Sequence, residues 1–370
     1  MKIGILNRFS KWFWNEDVWL PPNMTWKDIE KTDVIKYAQF NDLYYGLLVA
    51  VVLLIIRFTL ERYIFTPIGI YFGLKPSRPK RAPENHVLEK AFRANGRIGY
   101  KQIQGLAKQL DWTERKVERW LRQRTLQDKP TTLAKFTESS WRFTFYCSIF
   151  AYGLYTLSDK PWLWDTKHCW YDYPHHSMTS DVWWYYMVEL GFYTSLTFSQ
   201  FMDIKRKDFA QMFVHHIVTI LLLVFSWSSN LTRIGTIVLI VHDFADCPLE
   251  AAKMAKYIHK QRLGDMLFVV FTLAWIVSRL GLYPYRVIYS TAFEAVTCTA
   301  MFPAYYIFNG LLCALQVLHI VWTWMIIRVA LQAISSKQVK DIRSDDSSAA
   351  SSSSSCNADG NCNNRTRRKS

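Results

Sequence analysis

Long apolar blocks alternate with charged ones along the whole chain. Seven stretches predict membrane-crossing helices: 38–58, 139–157, 183–202, 208–227, 232–252, 264–284 and 302–332. Most reach the roughly 20 residues that span a hydrocarbon core of about 30 Å, and 139–157 is the weakest in length. A helix packed in a soluble core would carry a polar stripe at helical period. The runs "LLLVF" and "LFVVFTLAWIV" carry none. The pattern predicts an all-α polytopic membrane protein with about seven transmembrane helices. Its expected organisation is an N-terminal segment (1–37), a first span with its flank (38–74), a small three-helix unit (75–130), a six-helix transmembrane domain (131–334) and a tail (335–370).

Charge sets the expected orientation. The loops "DIKRKDFAQ" and "KMAKYIHKQRLGD" are basic, and residues 75–130 hold 15 Lys or Arg against 6 Asp or Glu. That segment supplies more than half of the chain's net charge of +15. All three are expected on the cytosolic side, because cytosolic loops gather Lys and Arg. The loops 158–182, 228–231 and 285–301 are poor in both and rich in Trp, Tyr, Ser and Thr. The N-terminus is then lumenal or extracellular and the C-terminus cytosolic. Asn23-Met24-Thr25 forms a glycosylation sequon on the lumenal side, so Asn23 is a candidate modification site. The start, "MKIGILNRFSKWFWNEDVW", lacks an apolar signal region, so the first span is expected to act as the targeting signal.

The seven cysteines are scattered and do not read as a zinc site or a disulfide framework. Cys169 and Cys298 share the expected lumenal side, with unpaired thiols the plainer expectation. The Ser- and Asn-rich tail is expected to be flexible. Its acidic residues ahead of serines suit acidophilic kinases.

Within 75–130, Leu88 and Phe92 form one apolar pair, and Ile103, Leu106, Ala107 and Leu110 a second face. Thr113-Glu114 opens a third helix with buried Val117, Trp120 and Leu121. "LDWTERKVERWLRQR" resembles the second turn and recognition helix of a homeodomain. Where homeodomains place an adenine-reading Asn, this chain has Gln123. Gln can also pair with adenine. The arm "GLKPSRPKR" is joined directly to the first span, however, where anionic headgroups are nearer than DNA. A structural, lipid-facing or regulatory unit is the expectation, with a membrane-tethered DNA reader as the alternative.

The candidate chemistry lies in the fourth and fifth spans. "FVHHIVTILLL" carries His215 and His216; "IVLIVHDFADCPLEAAK" carries His242, Asp243 and Asp246. Counted from Ser229 in the turn between them, the four residues His215, His216, His242 and Asp243 are 13 or 14 positions away. In an antiparallel helical hairpin they share a depth of about 20 Å. Asp246 is one turn deeper toward the cytosol. Ionisable groups inside a bilayer are costly, and so many at one depth point to chemistry. Polar side chains that merely pin two helices together are the plainer reading. A carboxylate orienting a histidine gives a general base. A histidine could instead take an acyl group itself, and His with Asp would also suit a metal. Glu189 and His319 could line the same cavity, and Arg279 is expected near the outer end of its span, snorkelling.

Read together, these stretches resemble the signature of the ceramide synthases. The family pattern is His215-His216, then Asn230, Arg233 and Gly235, then His242-Asp243 and Asp246, then Leu249-Glu250 and Lys253. The homeodomain-like insert after the first span is typical of animal members. The resemblance implies transfer of a fatty acyl group from acyl-CoA, a substrate rather than a cofactor, to the amine of a sphingoid base. No cofactor is expected. It also implies residence in the endoplasmic reticulum membrane, with the nuclear envelope as a further location, and oligomers with itself or related synthases. His215, His216, His242, Asp243 and Asp246 are then the candidate catalytic residues. Asn230, Arg233, Glu250 and Lys253 from the signature, with Lys205, Arg206 and Lys207 at the cytosolic mouth, are candidates for substrate binding. Segment 285–301 resembles the region that influences acyl-chain length. A non-catalytic lipid-binding relative would not need to keep the His and Asp cluster.

Overall fold

The computed structural model describes residues 2–30, 32, 35–76, 81–94, 98–127, 129–203 and 208–336. Lys205, Arg206 and Lys207, residues 77–80 of the basic arm and the tail from 337 onward lie outside the described residues. The described chain is helical, with no strand among these residues, as expected of an all-α polytopic membrane protein. The main helices are α1 (Lys2–Phe13), α2 (Leu43–Leu60), α3 (His86–Ala94), α4 (Tyr100–Leu110), α5 (Glu114–Gln127) and α6 (Thr132–Leu157). They continue with α7 (Ser180–Ser199), α8 (Phe209–Ser228), α9 (Thr232–Tyr257), α10 (Gln261–Trp275) and α11 (Ala304–Ser336). Beyond Trp275, α10 runs on through a π-helical segment, Ile276–Ile288.

Four helical stretches are long and apolar enough to cross a membrane: Phe40–Tyr71, Phe209–Ser228, Gln261–Cys298 and Ala304–Ala333. All seven predicted stretches are helical, but α6, α7 and α9 do not meet that measure. The reason is compositional. Glu138 and Arg142 lie in α6, Asp181 and Glu189 in α7, and Arg233, Asp243, Asp246, Glu250 and Lys253 in α9. These three helices turn much of their surface inward, whereas α2 exposes Leu47, Leu48, Val51, Val52 and Ile55. A helix apolar on every side suits lipid, where its backbone groups are satisfied within the segment.

At the centre, α9 packs along α6 on one side and α10 on the other. Helix α7 lies against α2 and α8, and α8 meets α11. Close approach of α2 and α7 depends on Gly191, where an added Cβ would stand 2.6 Å from Val49 Cγ1 and 3.0 Å from the Ala50 backbone nitrogen. An added Cβ at Gly235 would collide with the Tyr186 hydroxyl, so α9 and α7 also meet through a missing side chain.

One end of the bundle is capped and the other is open. The cap consists of the N-terminal segment and loop 158–179. Trp227 donates to Gln39 O (2.8 Å), Trp162 to Thr236 Oγ1 (3.2 Å) and Trp170 to Ser290 Oγ (2.8 Å). Near the other end, Asp203 accepts from Arg57 (2.6 Å) and Arg142 (3.3 Å), with Glu61 and Glu138 completing the cluster. This ties α2, α6 and the end of α7 together. Helices α3, α4 and α5 make a separate small core of Leu88, Ala107, Val117 and Trp120. Glu89 bridges Arg93 and Arg124 there, and those two guanidinium groups hold its carboxyl down at about 2.

Candidate active site

The carboxylates and imidazoles of α8 and α9 surround a cavity of about 340 Å³ between the helices. His215, His216, His242 and Asp246 all line it, as the common depth predicts. They are joined by Arg142, Tyr146, Tyr193, Arg279 and His319. The rim toward the open end carries Glu250, Lys253, Lys256 and the exposed Arg328. A second, smaller chamber of about 70 Å³ continues toward the capped end. Its wall is almost wholly apolar and includes Leu223, Leu231, Ile234, Ala295, Phe302 and Phe308. Tyr193 and His242 belong to both walls, so the polar chamber and the apolar one meet at these two side chains.

Asp243 does not line either chamber. Successive residues on a helix point about 100° apart, and with His242 turned to the cavity Asp243 faces α7. There it accepts from the Tyr185 hydroxyl (3.1 Å), on the side of the buried Glu189. Asp246 instead pairs with Arg279 (3.2 Å). Arg279 also donates to the carbonyls of Val241 (2.8 Å) and His242 (2.7 Å). The expected carboxylate–imidazole bond is therefore not among the hydrogen bonds of the described cluster. Two further expectations are corrected. Arg279 is buried beside the site rather than snorkelling, and Glu189 stands behind Asp243 rather than in the cavity wall. His319 does line the cavity. It reaches the site from α11, far along the chain from α8 and α9.

Two of the imidazoles are held by neutral acceptors, and these fix which nitrogen carries hydrogen. His216 Nδ1 lies 3.0 Å from Gln200 Oε1, and the Gln200 amide donates to Phe209 O (2.8 Å). Gln200 is thereby oriented, His216 Nδ1 is the donor, and its Nε2 keeps the lone pair. His242 Nδ1 donates to Val238 O (2.6 Å). His215 packs against Trp322 and Tyr193, with its Nδ1 buried and without a hydrogen-bond partner among the described residues.

Two of the expected substrate-binding residues are placed elsewhere. Asn230 sits in the turn between α8 and α9 with φ of 54° and donates to Pro174 O (2.6 Å) and His176 O (2.9 Å). Arg233 donates to His168 O (2.7 Å) and stacks over Trp162. Both fasten loop 158–179 at the capped end, and neither lines the cavity, because the turn puts them a full helix length from its rim. Glu250 and Lys253 stand at the rim and pair with each other at 2.6 Å. Asn23 is exposed at the capped end. Cys169 and Cys298 are both free thiols.

Residues 135–328 match the TLC domain family. At the level of whole chains, human ceramide synthase 5 is 45% identical over 345 residues, covering 92% of this chain and 88% of the relative. Human ceramide synthase 4 is 41% identical over 343 residues, covering 92% and 87%. Ceramide synthase hyl-1 of Caenorhabditis elegans is 34% identical over 348 residues, covering 90% and 84%. The chain is thus a TLC-domain membrane protein. Within that class it belongs to the ceramide synthase family.

Proposed function

We propose that this protein transfers a fatty acyl group from acyl-CoA to the amine of a sphingoid base, giving ceramide or dihydroceramide. The observation that carries the reading is the two-part passage. A polar chamber lined by four imidazoles opens toward basic rim residues, and an apolar chamber continues behind it. Acyl-CoA has the same division, an anionic head and a greasy chain. The chain would occupy the apolar chamber, and the thioester would rest near His242 and Tyr193, where the two walls join. Lys253, Lys256 and Arg328 at the rim suit the phosphates of the head. Arg142 lies on the same wall.

A sphingoid amine is mostly protonated at neutral pH, and only the uncharged amine attacks a thioester. An imidazole that accepts this proton contributes about 10²–10⁴ in rate. His216, with Nδ1 committed to Gln200, presents Nε2 as a base or a nucleophile. Direct transfer and an acyl-imidazole intermediate both fit this ring. Mass spectrometry of protein incubated with acyl-CoA alone separates them, since an acylated histidine eliminates direct transfer. The remaining candidates take other parts: Asp246 holds Arg279, while Asp243 with Glu189 and Tyr185 holds α9 against α7.

Our reading also has the protein in the endoplasmic reticulum membrane with seven spans: α2, α6, α7, α8, α9, α10 with its π-helical extension, and α11. The capped end is lumenal and the basic rim, the three-helix unit and the tail are cytosolic. The gathering of Lys and Arg supports this orientation. Acyl transfer by purified protein, measured with a panel of acyl-CoAs and sphinganine, tests the function. Absence of amide product with every chain length overturns it.

A further inference from the structure

Helix α7 runs one face along both chambers. Tyr186 lines the apolar chamber, Leu196 and Gln200 line the polar one, and Tyr193 between them belongs to both walls. Positions 186, 193, 196 and 200 fall on one side of a helix. The Tyr193 side chain is therefore turned into the passage where the chambers meet. Its ring is 4% exposed and stands edge-on to two imidazoles, with centroids 6.2 Å from His215 and 6.3 Å from His216.

The hydroxyl of Tyr193 sets it apart. A buried tyrosine hydroxyl normally finds a partner, and its neighbours do. Tyr185 donates to Asp243 (3.1 Å) and Tyr186 pairs with Ser226 (2.9 Å). Tyr173 donates to Ser229 O (2.9 Å) and Tyr283 to Leu312 O (3.0 Å). The Tyr193 hydroxyl has no partner among the described residues, yet it is not one of the polar atoms sealed inside the protein. It opens into the passage. Tyr146 has a free hydroxyl as well, but belongs to the polar wall alone. The other side chain shared by both walls is His242, whose Nδ1 hydrogen is committed to Val238 O (2.6 Å). Arg279 is likewise spent on Val241 O, His242 O and Asp246. Tyr193 thus brings an uncommitted O–H donor to the junction, between the chamber for the acyl chain and the chamber for the head.

We propose that the Tyr193 hydroxyl is the oxyanion donor for acyl transfer, a catalytic role that rests on the function proposed above. With the chain in the apolar chamber, the thioester carbonyl lies at this junction. An uncharged nitrogen, either the amine or His216 Nε2, forms a bond to the acyl carbon. The carbonyl π pair moves onto oxygen, and that oxyanion accepts from the Tyr193 O–H. The π bond then re-forms, the carbon–sulfur bond breaks, and CoA leaves as the thiolate with the bonding pair. If the amine attacks directly, its surplus proton goes to His216 Nε2 and on to the thiolate. If the imidazole attacks first, the ring keeps its Nδ1 hydrogen and carries the positive charge. The amine then displaces it through a second oxyanion at the same donor, and the surplus proton goes to the freed Nε2 and on to the thiolate. Tyr193 keeps its proton throughout, as an ordinary phenol does at neutral pH. A donor placed where charge develops stabilises the transition state more than the ground state.

The test compares Tyr193→Phe with the wild type. Each protein is assayed with acyl-CoA and with an analogue whose thioester carbonyl oxygen is replaced by sulfur, a poorer hydrogen-bond acceptor. Tyr193→Phe is expected to lower kcat with acyl-CoA about 100- to 1,000-fold, the usual cost of losing one oxyanion donor. KM for acyl-CoA and melting temperature should stay near those of the wild type, because the hydroxyl bonds no protein group. With the sulfur analogue the loss should shrink to about 10-fold or less, since the missing hydrogen bond was weak there in any case. A merely structural tyrosine would lower both rates alike. Two results overturn the assignment: Tyr193→Phe turning over acyl-CoA within about 5-fold of wild type, or equal losses with both donors. A wild type that makes no amide from any acyl-CoA overturns the acyl-transfer reading itself.

Discussion

At the scale of single residues, the site is set by which neutral group holds each ring. Gln200 is the clearest case, because its own amide is fixed by Phe209 O and its oxygen then fixes the His216 tautomer. Gln200→Leu removes the acceptor and keeps the approximate bulk. We expect kcat for acyl transfer to fall about 10- to 100-fold, within the range that base catalysis contributes, with the melting temperature nearly unchanged. Steady-state kinetics beside a thermal unfolding curve checks both. Asp246 is expected to behave the opposite way. Its carboxylate is the acidic partner of Arg279, which is 3% exposed. Asp246→Ala leaves a buried guanidinium without its counter-charge and should cost about 3 kcal/mol of stability. The double variant Asp246→Leu, Arg279→Met should recover most of that loss, because it removes both charges together. Recovery of folding without the single variant's defect, read as monodisperse protein and melting temperature, is the expected result.

At the scale of elements, the helices were legible in the sequence because lipid demands long apolar runs, and the depth of the imidazoles was legible because the helical rise is constant. Rotation about each axis was not legible. His242 and Asp243 are neighbours in sequence, yet one faces the cavity and the other faces Tyr185 and Glu189. That choice depends on how closely α7 approaches α2 and α9, which rests on Gly191 and Gly235. His319 was legible as a polar residue within an apolar span, but its contact with His242 was not, since α11 joins the site only through packing. Asn230 and Arg233 read as site residues because they sit between the His stretches, but the turn carries them to the capped end. If α7 is placed by the missing side chain at Gly191, then Gly191→Val should force α2 away. The cost is about 1–3 kcal/mol, the usual range for overpacking, read as a lower melting temperature. Loop 158–179 offers a second measurement. His176 is 1% exposed, and burial, together with the nearby Arg233 charge, lowers its pKa to about 4 from 6.5. The freed loop binds this proton more readily than the docked one. The contribution to docking is therefore complete above about pH 6.5 and declines as the pH falls toward 4. Protection factors across 158–179, which divide out the intrinsic slowing of exchange at low pH, should fall between pH 6.5 and 4, and His176→Phe should flatten that response.

At the scale of the whole molecule, the two chambers follow one another, the polar one beside Lys253, Lys256 and Arg328 and the apolar one toward loop 158–179, which contributes Trp170 and Tyr173 to its wall. An apolar chamber that holds the acyl chain is a gauge of its length. A chain that fits gains about 0.8 kcal/mol for each CH₂ buried, and a chain too long for the chamber must leave methylenes outside or displace the wall. Ala295 stands in that wall, is buried, and belongs to the segment 285–301. Replacing it with Phe fills part of the chamber from the π-helical side without touching an imidazole. Ala295→Phe is expected to move the preferred acyl-CoA about two to four carbons shorter. Loss of that number of buried methylenes corresponds to roughly 1.5–3 kcal/mol, or about 10- to 150-fold in relative kcat/KM for the longest accepted chain. Competition between paired acyl-CoAs, with the products resolved by mass, reads the ratio directly. A uniform fall in rate across all chain lengths would mean that the chamber does not hold the acyl chain, and that chain length is measured elsewhere in the molecule.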